Sequence, residues 1–360
     1  MNTFCVLPWF GREINYNGIY DTHCCLLPMQ YDIKKIQQEM MAGKRPAECQ
    51  RCWNLEDQGL TSDRQLKNAA LDWYWDRDLE SIKQDAKQGM EKTLMLKLLT
   101  SYTCNATCVS CNSNNSSGWA KLDRKMGKSI PINKKYQFID LDKIYKQIDF
   151  ADVKTLTLLG GEPLYEKKNF LILERLLELG NDGCFISMVT NGSVSLSDEY
   201  KKILSKFKNL NFCVSIDGTG AVFEYVRYPL QWLDLEKNLV FFRELTDLVS
   251  ANYTLSNLNV LYHNETVAWF KDNNIEYANN PIYRPAWLQP RSLPPHAKEH
   301  LKTVLNAVDY ATYIGEHTEQ DDGNFREFLQ QIAIQDQAKK THLKKYLPEL
   351  YKLIGPELFH

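Results

Sequence analysis

The sequence lacks three features that would assign the protein to a simple class. Its formal net charge is −2 over 360 residues, so it has no excess of the basic side chains that a nucleic-acid surface needs. It has no apolar run that approaches the roughly 20 residues of a membrane-spanning helix. Its first residues have neither a basic region nor a long apolar core, and we therefore expect no secretory signal. These absences predict a cytoplasmic protein that binds neither nucleic acid nor a membrane.

Internal repeats and low-complexity tracts are also missing from the sequence. With 44% hydrophobic residues, the chain is long enough to bury one large core and a small additional module. Cysteine is the residue type that stands out, with ten copies. A reducing cytoplasm keeps thiols available for metal, so a disulfide framework is the less favoured interpretation.

Apolar runs of strand length alternate with helical patterns downstream of residue 93. The runs lie at 94–99, 153–159, 184–189, 212–216, 257–261 and 275–278. The helical patterns lie at 170–179, 197–207 and 235–245. This alternation predicts parallel strands with crossover helices, and six strands fit an α/β fold with an open, partial (β/α)6 barrel. We expect three segments: a cysteine-rich module with a helical connection at 1–92, the barrel at 93–295 and a helical extension at 296–360.

Three cysteines follow the first predicted strand in the run Cys-Asn-Ala-Thr-Cys-Val-Ser-Cys. They are Cys104, Cys108 and Cys111. A closed structural site fills its ligand positions with protein, whereas three thiolates on one loop leave one iron of a four-iron cluster open. An open iron can bind a small molecule. Buried free thiols and a zinc site are the alternative interpretations.

Polar and glycine-rich motifs mark the ends of the next three predicted strands. These motifs are Gly160-Gly161-Glu162-Pro163, Thr190-Asn191-Gly192 and Ser215-Ile216-Asp217-Gly218. In barrels of parallel strands, the functional site lies at the carboxyl ends of the strands. Each motif alone is common turn chemistry. Their order and their shared position favour one site.

The spacing C-x3-C-x2-C together with these motifs resembles the radical S-adenosylmethionine (SAM) superfamily. The resemblance implies a [4Fe–4S] cluster on the three loop cysteines, with SAM on the open iron. It implies SAM contacts by Gly160, Gly161 and Glu162 at the amine, Thr190 and Asn191 at the ribose, and Ser215 and Arg227 at the carboxylate. Ser110 departs from the family pattern, which usually has an aromatic residue there near the adenine.

A second group of cysteines lies in the first 92 residues and resembles the auxiliary-cluster module called a twitch or SPASM-like domain. The resemblance implies a second iron–sulfur cluster, expected to be [4Fe–4S], on Cys5, Cys24, Cys49 and Cys52, with Cys25 as the alternative to Cys24. A structural zinc site built from the same thiolates is the competing interpretation.

Two further residues are candidates for contact with a substrate. Cys213 alternates with Ser215, so a regular strand would point it into the barrel lumen, where a thiol can donate a hydrogen atom. A small buried hydrophobic residue is the simpler interpretation. Lys97 interrupts the first predicted strand and needs a partner. That partner is either an anionic part of the substrate or a carboxylate on a neighbouring strand.

The resemblance implies an oxygen-sensitive enzyme that reductively cleaves SAM to methionine and a 5′-deoxyadenosyl radical, which removes a hydrogen atom from the substrate. It also implies a low-potential electron donor such as flavodoxin or ferredoxin. Relatives with auxiliary clusters often modify peptides, so a peptide or protein substrate is the first hypothesis. Dehydrogenation or another modification of a small metabolite is the second. A non-enzymatic zinc or iron–sulfur binding protein is the hypothesis from a different class.

Overall fold

The computed structural model of the protein describes residues 2–15, 18–20, 22, 24, 26–28, 30–75, 77–90, 92–129 and 139–355, without the side chains of 72–74. The chain folds into two compact units. The first comprises Met1–Ser101, Asn133–Met188 and Ser197–Leu210. The second comprises Tyr102–Ile132, Val189–Leu196 and Asn211–His360.

The first unit is built on parallel strands with one antiparallel edge. Strand β1 (Gly11–Asn15) pairs antiparallel with β2 (Gly18–Tyr20) and parallel with β3 (Met95–Leu99). Strand β4 (Thr155–Leu159) lies parallel between β3 and β5 (Phe185–Thr190). The first three strands predicted downstream of residue 93 are therefore confirmed. The short polar strands β1 and β2 have no apolar run and were not predicted.

The remaining strands are β6 (Asn209–Ser215), β7 (Val249–Leu255) and β8 (Glu276–Pro281). Strand β7 pairs parallel with both β6 and β8. Six strands thus lie downstream of residue 93, as predicted, and β1 with β2 is the only antiparallel pairing within either unit among the described residues. The predicted α/β fold class is confirmed.

The predicted strand at 257–261 is wrong. Asparagine side chains satisfy the backbone there in place of a strand ladder: Asn259 accepts from the Ser256 N–H at 2.7 Å and donates to the Thr254 carbonyl at 2.8 Å. A 3₁₀ turn follows at Val260–Tyr262. The fifth strand is β7 instead, whose buried residues alternate with half-buried Ser, Asn and Thr. A search for long apolar runs misses this alternation.

Helices cover both units. Those of the first unit are α1 Leu7–Phe10, α2 Ile33–Met41, α3 Gln50–Asp57, α4 Asp63–Trp75, α5 Leu79–Lys87, α7 Leu141–Gln147, α8 Lys167–Glu178 and α9 Asp198–Leu204. Those of the second are α6 Ser117–Lys125, α10 Gly220–Val226, α11 Trp232–Leu245, α12 His263–Asp272, α13 Pro295–Val304, α14 Ala307–Tyr313, α15 Glu319–Lys339, α16 Leu343–Tyr346 and α17 Pro348–Ile354. The last five confirm the predicted helical extension. No helix in the described ranges is long and apolar enough to cross a membrane.

The start of the chain is held in the core of the first unit by a buried asparagine. The Asn68 amide donates to the Phe4 carbonyl at 2.8 Å and accepts from the Val6 N–H at 3.0 Å. Arg64 also donates to the Phe4 carbonyl, at 2.8 Å. These bonds fix the backbone on both sides of Cys5, and thereby set where its thiol lies.

Substituting Asn68 by alanine tests this contact. The buried Val6 N–H would lose its partner, and we expect a loss of about 1–3 kcal/mol of stability. Asn54→Ala is the matched control, since Asn54 is bonded to Gln50 at the surface. Thermal unfolding measures the difference, and equal midpoints for the two variants would contradict the assignment.

Candidate active site

The loop of Cys104–Cys111 is fixed in the second unit by backbone bonds to the end of α10. The Thr107 N–H donates to the Tyr228 carbonyl at 2.7 Å, and the Val109 N–H donates to the Val226 carbonyl at 2.8 Å. The sequence alone does not show this pairing, because it joins segments that lie far apart in the chain. It holds the middle of the cysteine loop rigid.

Helix α6 fixes the loop through three further residues. The Ser116 hydroxyl donates to the Ala106 carbonyl at 2.8 Å, and the Trp119 indole N–H donates to the Cys108 carbonyl at 2.8 Å. A Cβ on Gly118 would lie 2.7 Å from the Ala106 carbonyl oxygen, so glycine permits this close approach. Trp119 is a positioning residue that sequence reasoning missed, although it lies soon after the last loop cysteine.

A buried ion pair faces the sulfur of Cys108. The Arg227 guanidinium lies with Nη1 3.9 Å from Cys108 Sγ and Nη2 2.7 Å from Asp217 Oδ2. The carboxylate of Asp217 also accepts from the Thr254 N–H at 2.8 Å. The chain therefore places a positive group beside the sulfur of Cys108 and holds that group with an oppositely charged side chain.

Burial dominates the acid–base state of these thiols in the metal-free protein. It raises the pKa of Cys108, against an opposing effect of Arg227, and it raises the pKa of Cys111 to about 12. Both thiols are therefore protonated at neutral pH until a metal displaces the protons. The Ala106 N–H points at Cys104 Sγ at 3.4 Å, a contact that favours a sulfur with negative charge.

Asn191, which follows β5, is bound to the cysteine loop within the second unit. Its amide donates to Asn105 Oδ1 at 2.9 Å, and its oxygen accepts from Ser193, with 2.9 Å to the N–H and 2.6 Å to the hydroxyl. Asn105 in turn donates to the Ser193 hydroxyl at 2.8 Å. Thr190 accepts from the Gly192 N–H at 3.0 Å. The network fixes the residue next to Cys104; the predicted ribose contacts stay a prediction.

Ser215 is the last residue of β6, and Cys213 shares its half-buried face of that strand, as predicted from alternation. Cys213 is hydrogen-bonded to Ser250, and burial raises the pKa of its thiol. Its role as a hydrogen-atom donor stays a prediction. Lys97 lies in the first unit, where its ammonium is 3.0 Å from Glu13 on the neighbouring strand β1. The structure thus shows the second of its two predicted partners, a carboxylate on a neighbouring strand.

The glycine-rich motif after β4 lies against the end of β3 in the first unit. Gly160 has φ +139°, and a Cβ there would lie 2.4 Å from the Ser101 carbonyl oxygen. The Gly161 N–H donates to the same carbonyl at 3.0 Å. Glu162 is 1% exposed and accepts from the Leu164 N–H at 3.1 Å. Close backbone packing therefore requires glycine at position 160. The contact predicted between this motif and SAM stays a prediction.

Four thiols of the first unit face one small cavity. They belong to Cys5, Cys24, Cys49 and Cys52. Burial raises the pKa of Cys5, and nearby Cys24, Cys49 and Cys52 raise it further. Burial likewise raises the pKa of Cys49 to about 12. The alternative ligand Cys25 lies outside the described residues.

The donor chemistry of both groups fits iron–sulfur clusters. No three Cys, His, Asp or Glu side chains of the described residues are grouped so as to hold one metal ion. A four-iron cluster makes a different demand, because it binds each thiolate through a different iron. One group offers three thiols on a rigid loop with a guanidinium beside sulfur, and the other offers four thiols around a cavity.

A cavity of about 640 Å³ lies beside Cys111 in the second unit. Its walls combine apolar and aromatic surface, including Trp119 and Trp287, with the amides of Gln331 and Gln335. Its charged groups are Arg284 and the ion pair of Lys128 with Asp123, at 3.1 Å. The size and the mixed lining suit an organic ligand.

The segment that carries the loop cysteines is similar to a known protein family. The family description "Radical SAM superfamily" matches residues 98–226, from β3 to the end of α10. Residues 98–226 thus match a radical SAM domain. This domain includes Cys104, Cys108 and Cys111, the Gly160-Gly161-Glu162 motif, Asn191 and Ser215; Arg227 follows it directly. The resemblance of the sequence to the radical SAM superfamily is confirmed.

Two curated proteins are similar to parts of this chain. Collagenase ColQ1 of Bacillus cereus is 26% identical over 199 residues, which are 51% of this chain and 20% of that protein. Collagenase ColA of Bacillus cereus is 25% identical over 197 residues, with the same coverage. The chain thus spans about one fifth of the length of these curated relatives, and the similarity assigns neither a family nor an activity.

Solved structures of similar arrangement include native anSMEcpe with bound AdoMet, at 15% identity and a TM-score of 0.41, covering 69% of this chain and 62% of that one. They also include SuiB of Streptococcus suis bound to the precursor peptide SuiA, at 16% identity and a TM-score of 0.41, covering 78% of this chain and 59% of that one. At these TM-scores the function has to be argued from the residues.

Substituting Gly160 by alanine tests the close packing after β4. The added Cβ would overlap the Ser101 carbonyl in a backbone conformation that favours glycine, and we expect a loss of about 1–3 kcal/mol of stability. Gly183→Ala is the matched control, because its Cβ would meet nothing within 4 Å. Thermal unfolding of both variants measures the effect, and a Gly160→Ala midpoint equal to that of the control would refute it.

Proposed function

We propose that this protein is a radical SAM enzyme with its catalytic cluster on Cys104, Cys108 and Cys111. The observation that carries the proposal is the match of residues 98–226 to the Radical SAM superfamily. The geometry of the loop supports it, because a rigid backbone presents three thiols and a buried guanidinium faces one of them. A non-enzymatic metal-binding protein would have no need for the open ligand position.

When bound to Cys104, Cys108 and Cys111, a [4Fe–4S] cluster would supply the one-electron reductive cleavage of SAM, from which hydrogen-atom removal from the substrate would follow. The protein binds and orients SAM and excludes water from it. We assign Gly160, Gly161 and Glu162 to the SAM amine, and Thr190 and Asn191 to the ribose.

Ser215 and Arg227 are assigned to the SAM carboxylate. The Arg227 Nε–H is buried and has no hydrogen-bond acceptor in the described part of the chain. A buried donor without an acceptor points to a ligand that is bound in the working enzyme. A carboxylate is the group that a guanidinium pairs with most strongly.

A peptide or protein is the proposed substrate class. The support is the resemblance of the amino-terminal cysteines to auxiliary-cluster modules, whose proteins often act on peptides. The cavity beside Cys111 is compatible, because apolar walls with amide side chains suit a polypeptide segment. A small metabolite is the alternative substrate. We further propose a cytoplasmic enzyme that receives electrons from a flavodoxin or ferredoxin.

We propose that Cys5, Cys24, Cys49 and Cys52 hold an auxiliary iron–sulfur cluster in the first unit. Their shared cavity supports it. The proposed segment 1–92 would then serve as the auxiliary-cluster module, with the barrel at 93–295. Zinc on the same four thiolates is the competing assignment.

The catalytic cluster is tested by replacing Cys104, Cys108 and Cys111 together with alanine. After anaerobic reconstitution we expect about eight irons in the wild type and about four in the variant, because a four-iron cluster loses its ligands. Under dithionite, only the wild type should form 5′-deoxyadenosine from SAM. Iron, sulfide and nucleoside analysis measure this.

Cys184→Ala is the matched control, because Cys184 is a 1% exposed thiol of the core that we assign to neither cluster. It should keep the iron content and SAM cleavage of the wild type. Formation of 5′-deoxyadenosine by the triple variant, or none by the wild type, would overturn the proposal.

The auxiliary site is tested by the Cys49→Ala, Cys52→Ala double variant. We expect it to lose about four irons while it still cleaves SAM, since the loop cysteines are untouched. Iron and zinc are measured together on wild type and variant. If the wild type contains zinc and the double variant does not, the site binds zinc and the auxiliary-cluster proposal is wrong.

A further inference from the structure

Lys339 is a buried cation outside the radical SAM domain. It is the last residue of α15 and is only 5% exposed. Its ammonium lies 4.7 Å from the centre of the Trp119 ring and donates to Gln335 Oε1 at 2.8 Å. In the described ranges, no carboxylate lies within ion-pair distance of this ammonium. Burying a charge without such a partner is costly, so its position needs an explanation.

The groups around Lys339 connect it to the cysteine loop. Trp119, which carries the ammonium on its ring face, donates its indole N–H to the Cys108 carbonyl at 2.8 Å. Gln335 and Cys111 line the same cavity. The ammonium acts electrostatically on the sulfurs of Cys108 and Cys111. The carboxyl-terminal helix thus brings a cation to the ligands of the proposed cluster.

The charge state of Lys339 is consistent with this role. Burial lowers its pKa to about 8, while Cys108, Asp336 and Cys111 oppose that effect. The side chain therefore remains largely protonated at pH 7. Arg227 is the second cation near Cys108, but its charge is compensated by Asp217.

Reduction adds one electron to an iron–sulfur cluster, so the cluster becomes more negative. A cation in a medium of low dielectric constant stabilises that added charge more than it would in water. Charge and burial around a cluster are among the factors that set its potential. The ammonium, whose nearby carboxylate Asp336 lies beyond ion-pair distance, therefore favours the reduced state of the proposed cluster.

We propose that Lys339 is a positioning residue of the cluster site, whose ammonium, held on Trp119 by helix α15, raises the reduction potential of the cluster on Cys104, Cys108 and Cys111. This inference rests on the proposed function. It makes the carboxyl-terminal extension part of the redox centre.

Potentiometric titration of the reconstituted full-length protein, followed by electron paramagnetic resonance (EPR), tests the inference. The auxiliary-site double variant serves as background, so that one cluster is titrated. We expect Lys339→Met and Lys339→Gln to shift the midpoint potential to more negative values. Lys339→Arg, which keeps the charge, should stay near the unsubstituted background. If the Lys339→Met variant fails to bind iron, the Lys339→Gln variant alone decides the test.

Lys344→Met is the matched control, because Lys344 lies over the ring of Tyr351 at 5.7 Å in the same carboxyl-terminal region. It should leave the potential unchanged. Unchanged potentials for the two neutral variants would overturn the inference, and so would an equal shift for Lys339→Arg, which would indicate packing. Failure of SAM cleavage with a normal cluster titration would contradict the proposed function alone.

Discussion

The buried guanidinium of Arg227 is the contact on which the site in the second unit depends. It joins the carboxylate of Asp217 to the sulfur of Cys108, and the Thr254 N–H fixes that carboxylate from the other side. Removing two charges from water is costly, so a buried pair of this kind is retained where further groups compensate it. Here the further group is the sulfur of Cys108, which would become negative on binding metal.

The backbone of the cysteine loop is rigid for reasons separate from its sulfurs. Carbonyls of Tyr228 and Val226 bind its N–H groups, and Ser116 and Trp119 bind its carbonyls. A loop whose backbone groups are already satisfied does not have to reorganise when it receives a cluster. Preorganisation of this kind is what a site for reactive chemistry requires, because its ligands must hold one geometry through electron transfer.

In the first unit, other contacts fix the backbone near the cysteines and the glycine-rich motif. Asn68 binds the backbone on both sides of Cys5, and the start of the chain is thereby held in the core against which Cys24 and Cys49 pack. At the end of β4, Gly160 lets the chain pass within contact of the Ser101 carbonyl. Cysteine and glycine positions that looked like isolated motifs in the sequence are fixed by packing.

Sequence patterns predicted the parallel strands and the loop cysteines, because apolar runs and cysteine spacing are local signals. They failed at 257–261, where Asn259 satisfies the backbone through its side chain, and missed β7, whose apolar residues alternate with polar ones. They also missed Trp119 and Lys339, whose roles depend on a contact between distant segments. Contacts between distant segments produce no periodic pattern in a single sequence.

An EPR spectrum shows whether the open iron of the proposed loop cluster binds SAM. The dithionite-reduced protein, with the auxiliary ligands Cys49 and Cys52 replaced by alanine, is recorded with and without SAM. Our account predicts that SAM changes the signal of the remaining cluster, because the molecule becomes a ligand of one iron. Identical spectra with and without SAM would contradict it.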